Sequence, residues 1–308
     1  MILIILQQLL VLFLLAGVGF VLKKRRVLND AVDRGFSAIL MNIALPCTVL
    51  TASRVELQGS LAGNLLQTLV IAVAFHVVSI LFMILVAKAM RVQGPRRVTL
   101  ISVVVFANMG SLGFPLAQAL LGQEGVLYTS VFQLVFFAFL YTFGISLYSN
   151  TGRFDLRRAI LNPVSVSVLV TLALLFLKIR LPFILDETVS RLSGLTTPMA
   201  MMILGSLLGN LEIKKLFIDK MAFVLTGLRL LVIPTATILV MYAFHVEPHV
   251  ALMCGLLSGS ASASLNVTFA LVFDCDTEFN ARSVFLSMLF IIVTMPLLLL
   301  LLTRLFPI

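Results

Sequence analysis

The sequence predicts an all-α polytopic membrane protein, and three observations predict it. Hydrophobic residues make up 61% of the 308-residue chain and charged residues only 11%, against roughly 45–50% and 25% in soluble domains. Apolar runs of about 20 residues, the length that crosses a bilayer, recur from end to end. The polar breaks between them are short, so no soluble domain is inserted. A water-soluble fold of this size could not hide so much apolar surface, and mean hydropathy is +1.15. A soluble enzyme, a secreted disulfide scaffold and a disordered chain are therefore excluded. The net charge of +9, which in a soluble protein would point to nucleic acid, points here to loop charge, and no nucleic-acid partner is expected.

Ten spans follow in order, at roughly 1–22, 33–52, 62–87, 98–121, 126–148, 158–179, 187–210, 218–244, 249–272 and 281–303. The first has no basic residue ahead of it and no small-residue cleavage pattern. Its basic cluster, Lys23-Lys24-Arg25-Arg26, comes after it. It therefore reads as a retained span that starts outside, not as a signal peptide. With that orientation, the odd-numbered loops are cytoplasmic and collect 16 of the 22 Lys and Arg residues. Five fall on the outer side and Arg229 lies within a span. This asymmetry supports a multi-pass cell-membrane protein with both termini outside.

The two halves look related. A shift of 152 residues places Pro46 on Pro198, His76 on Leu228 beside Arg229, and Asn108–Pro115 on Ser260–Val267. Five is an odd number of spans, so the second copy enters from the opposite side, giving a 5+5 inverted repeat, a plan common in secondary transporters. The expected organisation is a first five-helix repeat at 1–148, a cytoplasmic linker at 149–157 and a second repeat at 158–308.

Chemistry is concentrated in few places. Span 4 carries Asn108-Met109-Gly110-Ser111-Leu112-Gly113-Phe114-Pro115. Two glycines and a proline so close together should interrupt a helix. Broken helices near the midplane mark transporter binding sites, where half-helix ends face the cargo; a proline kink used only for packing is the plainer alternative. The matching stretch of span 9, Ser258 to Thr268, is rich in small and hydroxyl residues. It reads either as close helix packing or as a second unwound segment that brings Ser264 and Asn266 to a site shared with Asn108. Arg229 lies about eleven residues into span 8, with Pro234 five residues on. An intramembrane charge usually faces a cavity, and its fork suits a carboxylate. The alternative is an arginine bonded to carbonyls of a broken helix. His76, mid-span in the pseudo-symmetric helix, either lines the same cavity or is a satisfied packing group.

No Asp or Glu falls deep in a span, and neither HExxH nor a P-loop is present. These features argue against an enzyme, a metal centre and direct ATP use. Cys47, Cys254 and Cys275 are far apart and read as reduced thiols. His245, Glu247 and His249 read as a solvated loop, with a surface metal site as the alternative.

The Asn-x-Gly-x-x-Gly-x-Pro pattern at Asn108, Gly110, Gly113 and Pro115 resembles the span 4 signature of the auxin efflux carrier family, which includes bacterial malonate and other organic-anion permeases. Asn42, Leu45 and Pro46 in span 2, and Arg229 with Pro234 in span 8, resemble it too, and the likeness covers essentially the whole chain. The resemblance implies a fold related to the bile-acid sodium symporters. It implies a scaffold of spans 1, 2, 6 and 7, and a transport domain of the others, with spans 4 and 9 crossing at their breaks. Elevator-type alternating access and a homodimer are implied as well. One departure is that Ser262 or a neighbour stands where the family often has a proline before the span 9 asparagine.

The expected function is secondary transport of a small organic anion, a carboxylate above all. Its binding residues would be Asn108, Gly110, Gly113, Pro115, Arg229, Asn266, Ser264 and His76, with Pro115 holding the break open. No cofactor is expected, and coupling to Na+ or H+ stays open. A sodium-coupled symporter of the same fold, or a membrane sensor or channel, is the alternative.

Overall fold

The computed structural model describes residues 2–55, 60–149, 161–209, 219–263 and 265–307. Ser264 and the expected linker beyond Ser149 lie outside them. Among the described residues the elements are helices, apart from one isolated two-residue bridge. Five helical stretches are long and apolar enough to cross a membrane: Ala31–Arg54, Leu61–Ala89, Leu112–Ser149, Lys220–Ala243 and Thr277–Leu305. The expected spans at 98–121 and 249–272 do not form continuous helices. Each is split into shorter pieces, and the expected span at 158–179 contains a helix of only 14 residues, Pro163–Phe176. At a rise of about 1.5 Å per residue, 14 residues reach about 21 Å, short of a bilayer core of about 30 Å.

The chain divides into two compact units that cut across its two halves. The first comprises Met1–Thr68, Gly110–Leu134 and Ile160–Asn210. In it, helix α1 (Ile2–Lys24) lies along the helix Thr196–Gly209 so closely that backbones touch. A Cβ on Gly19 would fall on the Met202 carbonyl, and one on Gly205 on the Ala16 carbonyl. Small residues are what permit such an approach between membrane helices. The seam ends in a polar lock. Asp33, 8% exposed, accepts Lys23 Nζ at 2.7 Å and Ser206 Oγ at 2.8 Å. Helix α2 (Asp30–Ile39) starts at Asn29, whose side chain accepts from the backbone N–H groups of Ala31 and Val32, meeting two donors that a helix start leaves open. It passes through a π turn at Leu40–Ala44 into α3 (Leu45–Thr51). Pro46 follows that turn at once. A proline clashes with the carbonyl four residues back, and widening the ladder relieves it.

The second unit comprises Leu69–Met109, Val135–Ala159 and Leu211–Ile308. Its long members are α4 (Leu61–Ala89) from Leu69 on, and the helix Thr277–Leu305, against which most other elements of the unit pack. A second proline-linked π turn, Leu228–Val232, precedes Pro234 and contains Arg229. Two short helices, α5 (Gly94–Val105) and Pro248–Ser258, stop partway through their expected spans. Helix α6 (Met109–Phe139) restarts after the first stop and bends at Gly122, whose φ of +57° suits glycine. The described thiols are unpaired. Burial raises the Cys275 thiol above its ordinary pKa, and the neighbouring Asp274 and Asp276 raise it further.

The seam of the first unit makes a prediction. Gly205→Val should lower thermal stability by about 1–3 kcal/mol or more, because the branched side chain has no space beside the Ala16 carbonyl. Gly17→Ala, on the facing helix α1 but with nothing within 4 Å, should be neutral or stabilising by up to ~1 kcal/mol. Paired melting curves of the purified variants read the difference.

Candidate functional site

The second unit contains both broken segments. Helix α5 ends at Val105 and the backbone turns extended at Phe106, with φ −95° and ψ 109°. The other break begins after Ser258. The two stretches answer each other through an antiparallel bridge between Ala107 and Ser262. Asn108 N–H donates to the Ala261 carbonyl at 2.7 Å, and Ala263 N–H donates to the Phe106 carbonyl at 2.9 Å. Away from water, an unpaired peptide group costs several kcal/mol, so a broken helix must find such partners. Side chains complete the knot. Ser262 Oγ donates to the Val103 carbonyl at 2.6 Å, and Asn266 Nδ2 donates to the Phe106 carbonyl at 3.2 Å. Ser262 N–H donates to Ser287 Oγ at 2.9 Å.

Arg229 is fully buried. Its Nε donates to the Ser260 carbonyl at 2.9 Å and its Nη1 to the Val104 carbonyl at 3.2 Å. Val104 lies in the last turn of α5, and Ser260 lies just beyond the end of Pro248–Ser258. The guanidinium thus satisfies the carbonyl ends of both interrupted helices, where the helix dipole is negative. Nη2 has no hydrogen-bond partner among the described residues, and no carboxylate there pairs with the charge. The Phe75 ring lies 5.9 Å from the guanidinium carbon.

The other expected site residues fall as follows. Asn108 is half-buried at the end of the first break, and Asn266 is fully buried in the first turn of Leu265–Val272. Asn266 Oδ1 has no partner among the described residues. His76 is fully buried on α4. Its Nδ1 donates to the Ala72 carbonyl at 2.7 Å, and its ring stacks on Phe139 at 5.2 Å and meets Phe75 edge-on. These contacts fit the packing alternative, one aromatic ring away from Arg229. Gly110 and Gly113 lie in the opening turns of α6, within the first unit.

Pro115 requires a correction. It does not hold the break open, because the interruption falls at Phe106–Asn108 and Pro115 lies inside the helix that has already restarted. A proline removes one donor from a ladder, and a helix can survive that loss. Here the extended backbone is held by its bridge to Ala261–Ala263 instead.

The structure adds a hub that the sequence analysis passed over. The Tyr148 hydroxyl contacts Ser102 Oγ at 2.7 Å and the Asn266 carbonyl at 3.1 Å, and accepts from Asn280 Nδ2 at 3.1 Å. Its ring packs against Phe269, on the helix that carries Asn266, and against Phe273 just beyond that helix's end. A signal was available. Asn280, Ser283 and Ser287 recur at helical spacing on one face of the helix Thr277–Leu305, and all three are fully buried. Among the described residues, no three His, Cys, Asp or Glu side chains gather as a metal centre.

The model of the membrane transport protein family matches residues 4–154 and 147–299. The chain belongs to this family, that of the auxin efflux carriers. It is an integral membrane protein of a transporter family. An uncharacterized transporter of Methanothermobacter thermautotrophicus is 24% identical over 296 residues, which cover 94% of this chain and 96% of that one.

Two variants test the architecture of the knot. Arg229→Met should lower stability by about 2–5 kcal/mol, since it strands two buried carbonyls at ~1–3 kcal/mol each. Tyr148→Phe keeps the ring and loses only the hydroxyl contacts, so a loss of about 1–2 kcal/mol is expected. Thermal unfolding in detergent measures both. Equal melting of Arg229→Met and wild type would remove the capping role.

Proposed function

We propose that the chain is a secondary transporter that moves a small organic anion, a carboxylate above all, across the cell membrane by elevator-type alternating access. In this reading it has ten spans as a 5+5 inverted repeat, both termini outside, and works as a homodimer. The observation that carries the proposal is the buried charge of Arg229. Two of its donors are taken by helix-end carbonyls and its Nη2 is left over. An intramembrane charge without a counter-ion is unfavourable by several kcal/mol and marks a ligand path.

The polarity of the broken helices supports the same cargo. Arg229 offsets the two carbonyl ends. The helices that restart at Met109 and Leu265 have opposite, positive ends, which favour anions. Asn108 and Asn266 stand at those restarts, placed to hydrogen-bond a carboxylate. Gly110 and Gly113 follow Asn108 without side chains that would crowd it. Ser264, outside the described residues, precedes Leu265 in sequence and is part of the proposed site. His76 acts from behind by packing.

Uptake and counterflow of labelled small carboxylates in proteoliposomes test this reading. Asn108→Ala and Asn266→Ala should each cut uptake ~10-fold or more, the weight of a hydrogen bond to a charged group. Arg229→Lys should retain part of the activity and Arg229→Gln should retain none. Neutral amide analogues should not be carried. Wild-type carboxylate uptake by a folded Arg229→Gln protein would overturn the anion reading. Imposed Na+ and H+ gradients, applied one at a time, identify the coupling ion. Ligand binding without counterflow would identify a sensor.

A further inference from the structure

Helix α1 has two faces that end in different charges. The inner face runs Leu12, Ala16, Gly19, Lys23. Leu12 is 3% and Ala16 6% exposed, Gly19 abuts the Met202 backbone, and Lys23 pairs with Asp33 at 2.7 Å. The outer face runs Leu10, Leu14, Val18, Val21, at helical spacing, with exposures of 58%, 63%, 50% and 47%. Arg25 N–H donates to the Val21 carbonyl at 2.9 Å, so Arg25 continues the same ladder and caps the outer stripe.

Among the described residues, the cations that follow Lys23 have no carboxylate partner. Asp33 is committed to Lys23 and Ser206. Lys24, Arg25, Arg26 and Arg34 are exposed, and none of them forms an ion pair among the described residues. Lys24 is steadied by the Phe20 ring, 5.5 Å from its Nζ. Arg26 sits at φ +60°, in the tight turn that leads into α2.

We infer that this end of α1 is a binding site for an anionic phospholipid. The acyl chains lie along the exposed Leu10–Val21 stripe and the phosphate headgroup lies against Lys24, Arg25, Arg26 and Arg34. The match is one of shape and charge. An apolar strip at bilayer depth leads directly to four exposed cations, unpaired among the described residues, where the headgroups lie. Each cation near an anionic surface is worth roughly five-fold in affinity. The site lies on the first unit and does not depend on the cargo proposed above.

The test uses the full-length purified protein and the triple variant Lys24→Gln/Arg25→Gln/Arg26→Gln. Both are titrated with phosphatidylglycerol and with phosphatidylcholine, and bound lipid is counted by native mass spectrometry alongside melting temperature. Wild type should retain phosphatidylglycerol at least ten-fold better than phosphatidylcholine and melt higher with it. The triple variant should lose that preference while melting as wild type does in phosphatidylcholine. Three results would overturn the inference: equal retention of the two lipids by wild type, a preference that survives in the variant, or equal stabilisation by inorganic phosphate alone. A halved particle mass for the variant would assign the stripe to a second copy of the chain, and would overturn it too.

Discussion

Two peptide segments that leave their helices in an apolar interior must each find new hydrogen-bond partners, and in this protein they find one another. The exchange between Phe106–Asn108 and Ala261–Ala263 is small, two backbone bonds around one bridge. The rest of the second unit is arranged about it. Ser262 and Asn266 tie the knot to α5, and Ser287 ties it to the helix Thr277–Leu305. Tyr148 then fixes the helix that leaves the knot against Ser102 and Asn280. Non-helical backbone persists at such depth because protein groups satisfy it, and the bonds of Ser262, Asn266 and Ser287 perform that task.

Interrupting a helix also exposes the ends of its dipole. Two helices that stop at one place present carbonyls, and two that restart there present N–H groups. A single guanidinium suits the first pair because its fork can reach two carbonyls at once. The π turn that Pro234 forces on its helix contains Arg229, so a local steric conflict and the one fully buried arginine of the described residues share a turn. With the carbonyl ends neutralised, what remains at the knot is positive. That balance is the ground on which an anionic cargo is proposed for this member of the membrane transport family.

The first unit rests on a different economy. Its central contact is backbone against backbone, made possible by Gly19 and Gly205 and closed by the buried trio of Lys23, Asp33 and Ser206. Close approach of this kind gives van der Waals contact, which in a bilayer replaces the hydrophobic effect as the force between helices. It also uses up one face of α1 and the first cation of the basic cluster, leaving the opposite face and the following cations to the surroundings.

The membrane class and the family were legible in the sequence, as was the presence of a buried arginine at Arg229 and of interruptions within the expected spans at 98–121 and 249–272, because each depends on composition or on residue types that are costly in a bilayer. The position of the break was not. Gly110, Gly113 and Pro115 suggested where a helix is weakest, whereas the actual interruption lies where a partner strand exists, and that partner is more than 150 residues away in the chain. For the same reason the role of Ser262, Ser287 and Tyr148 escaped notice, since each is an unremarkable polar residue until its hydrogen bond is seen. Residue type determined which groups had to be satisfied. Only the tertiary structure decided by whom, because hydrogen bonds between segments distant in sequence depend on packing that no local pattern encodes.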